Sequence, residues 1–155
     1  MRRKSNVTVI DCLFTYNNAN KGAVVSVSDK ALVLITNSSM IKNTAIGRTL
    51  VDATDYAKVS VSNSLMQKNS AIREGVVYAR NNSRVEFSNA YLSENFVKYD
   101  NSMINIIFSS TLLISACKVF NHSCSSKSSG IITVDSESKL SVNKSSFLNN
   151  SAGYL

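Results

Sequence analysis

The apolar residues of this chain recur in two alternating segments that repeat about every 26 residues. In the first segment an apolar column begins at Val7 and continues as Val33, Val59, Val85, Leu112 and Leu140. In the second segment the corresponding column begins at Val25 and continues as Val51, Val77, Ile104 and Ile132. Apolar residues at every second position are typical of β-strands that turn one face towards a core.

A column of asparagines lies between the two segments and defines the register of the repeat. Its members are Asn17, Asn43, Asn69, Asn95, His122 and Asn150. All variation in repeat length falls between this column and the second segment, so that one surface turn accepts the inserted residues. Six copies therefore cover nearly the whole chain, which is the signature of a solenoid.

Each copy is too short to bury its own apolar face, and stacking the copies solves this problem. Three short strands fit each copy, at residues 7–9, 12–14 and 25–27 in the first one. The repeat predicts an all-β fold, a right-handed parallel β-helix of about six coils of 26–28 residues. The handedness follows from the rule for parallel crossover connections.

A leucine-rich-repeat-like solenoid is the alternative fold. The spacing of Val9, Cys12, Phe14 and Asn17 matches that of a leucine-rich repeat. Two features argue against it: the Cys12 column holds residues too small for a leucine core, and a Val-x-Val strand stands where a helix is expected.

Composition agrees with a β-rich chain. The 155 residues include 27 Ser and 18 Asn but no Pro and no Trp, and short polar side chains disfavour helix interiors. The net charge is +7; three of the basic residues are Arg2, Arg3 and Lys4, and the remaining Lys and Arg are scattered, so no nucleic-acid partner is expected. No run of about 18 apolar residues occurs, so no membrane insertion is expected.

The organisation along the chain is simple. Residues 1–4 form a basic extension, and no apolar core follows Arg2-Arg3-Lys4 as a signal peptide would require. Residues 5–155 are interpreted as a single β-helix domain. Because neither end carries a helix or a polar cap, the chain is expected to be a segment of a longer solenoid, with other chains or further β-helix coils as partners.

The asparagine column has a structural interpretation. An asparagine side chain offers two donors and an acceptor oxygen, so stacked asparagines can bond the coils above and below. A histidine also has a donor and an acceptor, and His122 is interpreted as a substitute in this ladder. No catalytic partner for His122 is evident in the sequence.

A second column is apolar although alternation points it outward: Val24, Leu50, Val76, Met103 and Ile131. Two alternatives remain open for it. Either a turn tucks the column into the core, or it forms an exposed stripe that a lateral partner would cover.

Few residues suggest chemistry. Asp29 and Asp55 share one turn column and could hold a cation or act on a polysaccharide, although two polar turn tips are the preferred interpretation. The outward basic column of Lys58, Arg84 and Lys139 is a candidate contact for cell-surface glycans. No catalytic residue, metal site or cofactor is predicted.

The cysteines and glycosylation motifs add little. Cys12 and Cys117 lie four coils apart and cannot pair, whereas Cys117 and Cys124 could pair only if their side chains converge, so buried free thiols are expected. Of six Asn-x-Ser/Thr motifs, Asn81 is the best glycosylation candidate because it is placed on an exposed turn.

Phe14-x-x-Asn17 and Phe147-x-x-Asn150 resemble the FxxN repeats of the polymorphic outer membrane proteins. The second mark of that family, a Gly-Gly-Ala-(Ile/Leu/Val) segment, is half kept as Gly22-Ala23-Val24, Gly75-Val76-Val77 and Gly130-Ile131-Ile132. The resemblance implies a β-helical ectodomain exposed at a cell surface and used in adhesion. It brings no catalytic residues.

Together these features predict a non-enzymatic structural or adhesive β-helix, part of a cell-surface, extracellular or filamentous protein. The alternatives are a glycan-binding module and a polysaccharide lyase or hydrolase built on a β-helix.

Overall fold

The computed structural model describes residues 5–47, 49–99, 102–125 and 130–153. All regular secondary structure in these ranges is β-strand. The basic residues 1–4 lie outside the described part of the chain, so the interpretation of them as an extension stays a prediction.

The first three coils each contain four strands. Coil 1 contains β1 (Asn6–Ile10), β2 (Leu13–Thr15), β3 (Asn18–Ala19) and β4 (Val25–Val27). Coil 2 contains β5 (Leu32–Thr36), β6 (Ser39–Ile41), β7 (Thr44–Ala45) and β8 (Val51–Thr54). Coil 3 contains β9 (Lys58–Ser62), β10 (Leu65–Gln67), β11 (Ser70–Ala71) and β12 (Val77–Arg80).

The remaining coils follow the same order. Coil 4 contains β13 (Arg84–Ser88), β14 (Tyr91–Ser93), β15 (Phe96–Val97) and β16 (Ile104–Ile106). Coil 5 contains β17 (Thr111–Ser115), β18 (Lys118–Phe120), β19 (Ser123–Cys124) and β20 (Ile132–Val134). Coil 6 contains β21 (Lys139–Asn143), β22 (Ser146–Leu148) and β23 (Ser151–Ala152).

Strands at the same place in successive coils pair in parallel. The first, second and third strands of the coils form three six-stranded sheets, and the fourth strands form a five-stranded sheet. The pairing follows the repeat register, with Val7 opposite Val33 and Val33 opposite Val59. The predicted parallel β-helix is confirmed, and the leucine-rich-repeat alternative is wrong because strands occupy the place of its helices.

The strand pattern within a coil differs from the prediction in one respect. Each of the first five coils has four strands rather than three, because a two-residue strand such as Asn18–Ala19 follows the asparagine column. The second strand of coil 1 begins at Leu13 rather than at residue 12. A positive φ of 55° at Tyr16 ends that strand, so the chain turns before it pairs again.

The core runs along the axis of the stack. Inward residues of the first sheet in the middle coils, such as Ile35, Val61 and Leu112, are completely buried, and Phe87 is the largest side chain among them. The equivalent residues of coil 6 are partly exposed, with Val142 at 44%. Burial therefore depends on a neighbouring coil on both sides, as expected for stacked repeats.

The apolar column that contains Leu50, for which the sequence left two alternatives open, turns towards the core. Leu50, Val76 and Met103 are buried, and Val24 and Ile131 are half-buried. The amide groups of Leu50 and Val51 both donate to the carbonyl oxygen of Val76, at 3.1 and 3.0 Å. Two consecutive residues bonded to one acceptor interrupt the alternation, so both side chains turn inward. The exposed-stripe alternative is therefore wrong for Leu50, Val76 and Met103, which lie in the core.

Turns with left-handed backbone separate the strands. We call the segment between the fourth strand of one coil and the first strand of the next the return turn. Every return turn contains two consecutive residues with positive φ; these pairs are Asp29-Lys30, Asp55-Tyr56, Asn81-Asn82, Phe108-Ser109 and Ser136-Glu137. Asn and Asp tolerate this conformation better than most residues, which explains part of the abundance of Asn in the chain.

Candidate interaction surface

The asparagine column forms a continuous hydrogen-bonded ladder inside the second turn of each coil. The backbone N–H and the side-chain Nδ2 of Asn43 both donate to Oδ1 of Asn69, at 2.9 and 3.0 Å. Asn69 donates in the same way to Oδ1 of Asn95, at 2.9 Å for both bonds. Its Nδ2 also donates to the carbonyl oxygen of Met40 in the preceding coil at 2.8 Å. Each rung thus binds the coils on both sides.

The ladder begins at Asn17 and reaches Asn150. Asn17 Nδ2 donates to Oδ1 of Asn43 at 2.8 Å, and the backbone N–H of His122 donates to Oδ1 of Asn150 at 3.0 Å. Asn43, Asn69, Asn95 and His122 are buried, so water cannot replace these bonds.

His122 fills the place of an asparagine but makes fewer bonds. Its Nδ1 accepts the backbone N–H of Asn95 at 3.0 Å, and its buried Nε2 makes no well-formed hydrogen bond. Burial lowers the pKa of His122 to about 4, although the backbone groups of Asn95 and Leu92 act to raise it. The imidazole is therefore neutral at pH 7 and serves as an acceptor in the ladder.

A second ladder, which the sequence patterns did not suggest, runs through the small column that begins at Cys12. The backbone N–H of Ser38 donates to Oγ of Ser64 at 3.0 Å, and Oγ of Ser64 donates to the carbonyl oxygen of Ser62 at 2.6 Å. Ala90 interrupts this series because its side chain has no acceptor. Three serines among the six members were the only available signal.

Asp29 and Asp55 are the first of the two left-handed residues in adjacent return turns, as their spacing suggested. Oδ1 of Asp55 accepts Nδ2 of Asn81 at 2.8 Å, and Oδ2 of Asp29 accepts the hydroxyl of Ser28 at 3.3 Å. Within the described ranges no group of three or more His, Cys, Asp or Glu side chains could hold a metal ion. The contacts are those of polar turn tips.

The basic column of Lys58, Arg84 and Lys139 faces outward but is partly neutralised. Glu86 accepts a hydrogen bond from Nε of Arg84 and lies 3.2 Å from Nζ of Lys58. Burial would raise the pKa of Glu86, but its bonds to Arg84 and Lys58 outweigh this effect and lower the pKa. Glu86 thus offsets part of the positive charge of Lys58 and Arg84.

The return turns of coils 2 to 5 form a shallow groove with a volume of about 440 Å³. We call it the return-turn groove. It is lined by two exposed aromatic residues, Tyr56 and Phe108, and by Asn81, Asn82, Ser109, Ser136 and Glu137. The groove thus combines aromatic rings with amides, hydroxyls and one carboxylate.

A smaller groove of about 340 Å³ follows the turn between the first and second strands. Asn37, Asn63 and Asn89, all with positive φ near 50°, form its edge, and Leu65 and Tyr91 flank them. Nζ of Lys118 lies 5.4 Å from the ring centre of Tyr91. This groove has one aromatic ring, already in contact with a cation.

Asn81, the glycosylation candidate, is half-buried in the return-turn groove. Its Nδ2, the atom to which a glycan would be attached, donates to Asp55. Ser83, which completes the motif, is buried. Asn37 and Asn121 are more exposed members of the same set of motifs, so the structure makes Asn81 a less accessible acceptor than its place on a turn suggested.

The three cysteines are free thiols. Cys117 and Cys124 are buried, as expected, whereas Cys12 is exposed. Burial raises the pKa of Cys117, and it raises the pKa of Cys124 to about 11.

Comparison with known proteins found no family model, curated protein or solved structure with significant similarity to this chain. Searched for long apolar helices, the described residues contain none that could cross a membrane. The stacked parallel sheets show that the fold class is a parallel β-solenoid.

Sequence reasoning identified the interior columns but missed the groove. Neither Tyr56 nor Phe108 belongs to a column whose residue type repeats along the sequence. Both residues lie in return turns, where the outward residues differ from coil to coil and form no repeated column. Only the structure shows that these two rings face one groove.

Proposed function

We propose that the chain is a non-enzymatic, adhesive section of a β-helical protein exposed at a cell surface or in an extracellular filament. The uninterrupted stack of its sheets carries this proposal. Interior ladders join every coil to the next, and a rod held in this way keeps its exposed turns at constant spacing. Such a rod suits the display of contact residues to a partner better than it suits opening and closing around a substrate.

The surface supports the same interpretation. Exposed aromatic residues such as Tyr16, Tyr56 and Phe108 lie at turns, where the fold tolerates many side chains. Aromatic side chains are enriched at binding surfaces because they bury large area with little loss of conformational freedom. The resemblance to FxxN-repeat adhesins adds independent support.

Two measurements test the proposal. Beads coated with folded protein should attach to at least one surface in a panel of cells, matrix proteins and immobilised glycans, and beads coated with heat-unfolded protein should not. Incubation with polygalacturonate, alginate and neutral polysaccharides should release no new reducing ends. Turnover that disappears in Asp29→Asn or Asp55→Asn would contradict the proposal and support a lyase or hydrolase, as would the absence of any attachment together with turnover.

A further inference from the structure

The return-turn groove has a chemistry more specific than adhesion in general. Tyr56 and Phe108 are 58% and 53% exposed, which is high for aromatic residues beside a concave surface. Asn82 and Ser109 line the same groove and offer amide and hydroxyl groups. Sites for small polar ligands typically combine apolar rings with a few placed polar groups of this kind.

The two rings are held at a defined separation. They lie two coils apart, and two coil steps correspond to about 10 Å along the axis. Backbone bonds stack the return turns: Tyr56 N–H donates to the Asn81 carbonyl at 2.9 Å, and Asn82 N–H donates to the Phe108 carbonyl at 3.0 Å. The groove is therefore formed before any ligand arrives, which reduces the entropic cost of binding.

One face of Tyr56 is already covered. Nζ of Lys30, from the preceding return turn, lies 5.7 Å from the centre of the Tyr56 ring. The following return turns, with Asn82 and then Phe108, lie on the opposite side of Tyr56 along the stack. A cation beside the ring helps to hold it in place, and the 58% exposure of Tyr56 leaves ring surface for a ligand.

The lining of the groove favours a neutral ligand over an anionic one. Glu137 is the one acidic residue in the lining, and the others carry amides, hydroxyls and aromatic rings. A carboxylate accepts hydrogen bonds from hydroxyl groups but repels uronates and sulfates. This chemistry is the reverse of the basic column, where Lys58, Arg84 and Lys139 would have selected anionic glycans.

We infer that the return-turn groove binds a neutral, unbranched hexose oligosaccharide that lies along the axis of the β-helix. A pyranose unit spans about the height of one coil, about 5 Å, so successive sugars can contact successive return turns. The C–H groups on the face of a sugar ring carry partial positive charge and suit the negative face of Tyr56 and Phe108. Asn82, Ser109 and Glu137 then bond the equatorial hydroxyls. This inference rests on the proposed adhesive function and names its ligand.

Titration with neutral tetrasaccharides tests the inference. Cellotetraose, laminaritetraose, maltotetraose and mannotetraose are added to ¹⁵N-labelled protein, with tetragalacturonate as the anionic comparison. At least one neutral probe should bind at up to millimolar concentration and shift the amide signals of Asn82 and Ser109. Binding of none of the four, or preferential binding of tetragalacturonate, would overturn the inference.

Substitution of the rings locates the site. Tyr56→Ala and Phe108→Ala should each weaken binding of the best neutral probe about tenfold or more, and Tyr56→Phe should keep most of it. Tyr16→Ala is the matched control, because Tyr16 is exposed, has positive φ and contacts a lysine, but lies at a different turn. Its affinity should equal that of the wild type. Both rings are exposed, so the thermal unfolding midpoints should change little.

The outcomes separate the two proposals. If the double variant Tyr56→Ala, Phe108→Ala binds the best neutral tetrasaccharide as tightly as the wild type, the assignment of the binding site to the return-turn groove is overturned. If the protein binds none of the tetrasaccharides but the coated beads still attach, the inference is overturned and the adhesive function stands. Cleavage of the bound tetrasaccharide would overturn the non-enzymatic function while keeping the groove as a glycan site.

Discussion

The second turn and the return turn of each coil use similar backbone but follow opposite rules for their side chains. In the second turn a left-handed residue precedes an inward asparagine, and five of the six coils keep that asparagine. In the return turn two left-handed residues point outward, and the same positions hold Asp, Lys, Tyr, Asn, Phe, Ser or Glu. The residue type is therefore constrained where a buried side chain must form hydrogen bonds with its neighbours. It is free to vary where water can form these bonds instead.

The largest effect is expected from breaking a central rung of the ladder. Asn69→Leu removes the acceptor of the Asn43 N–H and the donor to the Met40 carbonyl, and both groups stay buried. Each such loss costs about 1–3 kcal/mol, so the free energy of unfolding should fall by about 4 kcal/mol. Urea unfolding measures this change.

The terminal rung is the matched control. Asn17 is exposed, and Asn43 Oδ1 keeps the bond from the Asn17 backbone N–H when the side chain is replaced. Asn17→Leu should therefore cost about 1 kcal/mol or less. Equal losses at Asn69 and Asn17 would show that the ladder is not what makes the interior column selective.

The next effect follows from the imperfect rung at His122. Its pKa is about 4 in the folded protein and 6.5 in the unfolded chain, so the fold disfavours protonation. The contribution of neutral His122 to the free energy of unfolding is fully present above pH 6.5 and is lost as the pH falls towards 4. About 2 kcal/mol should be lost between pH 7 and pH 5.

Replacement with the residue of the other coils isolates this contribution. His122→Asn should remove most of the pH dependence between 7 and 5 and should stabilise the protein at pH 5. Urea unfolding of both proteins at the two pH values measures it. An unchanged pH dependence would show that other groups, such as the carboxylates, cause the loss of stability.

A smaller gain is expected from completing the serine ladder. A hydroxyl at position 90 can accept the Ser64 N–H and donate to the carbonyl of Ser88, as Ser64 does one coil earlier. Ala90→Ser should raise the free energy of unfolding by about 1 kcal/mol. Ala79→Ser, at a buried position of the fourth sheet, should destabilise instead. Destabilisation by both serines would contradict the second ladder.

The smallest expected effect concerns chemical labelling of the three cysteines. Cys12 is exposed, whereas burial raises the pKa of Cys117 and of Cys124. Because Cys12 is exposed, it should react with a disulfide reagent in native buffer, whereas the two buried thiols should react only on unfolding. Rapid labelling of all three in native buffer would contradict the described burial.

The periodicity of the sequence predicted the interior well. Alternation at Val7, Val33 and their equivalents located the first sheet, and the asparagine column located the second turn, because both depend on contacts that repeat in every coil. The direction of the Leu50 column could not be predicted, since two N–H groups share one carbonyl there and alternation fails. The groove lined by Tyr56 and Phe108 could not be predicted from the sequence either. Outward side chains make no contact that repeats in every coil, so their residue types follow no pattern.

Hydrogen exchange at single amides tests the ladder most directly. In the wild type, the N–H groups of Asn69 and of Val61 in the same coil should both exchange only through global unfolding. Asn95→Ala removes the Oδ1 that accepts the Asn69 N–H and leaves the strand containing Val61 paired. The account predicts that Asn69 then exchanges many times faster than Val61. Equal protection of the two amides in Asn95→Ala would contradict the claim that the asparagine column joins the coils.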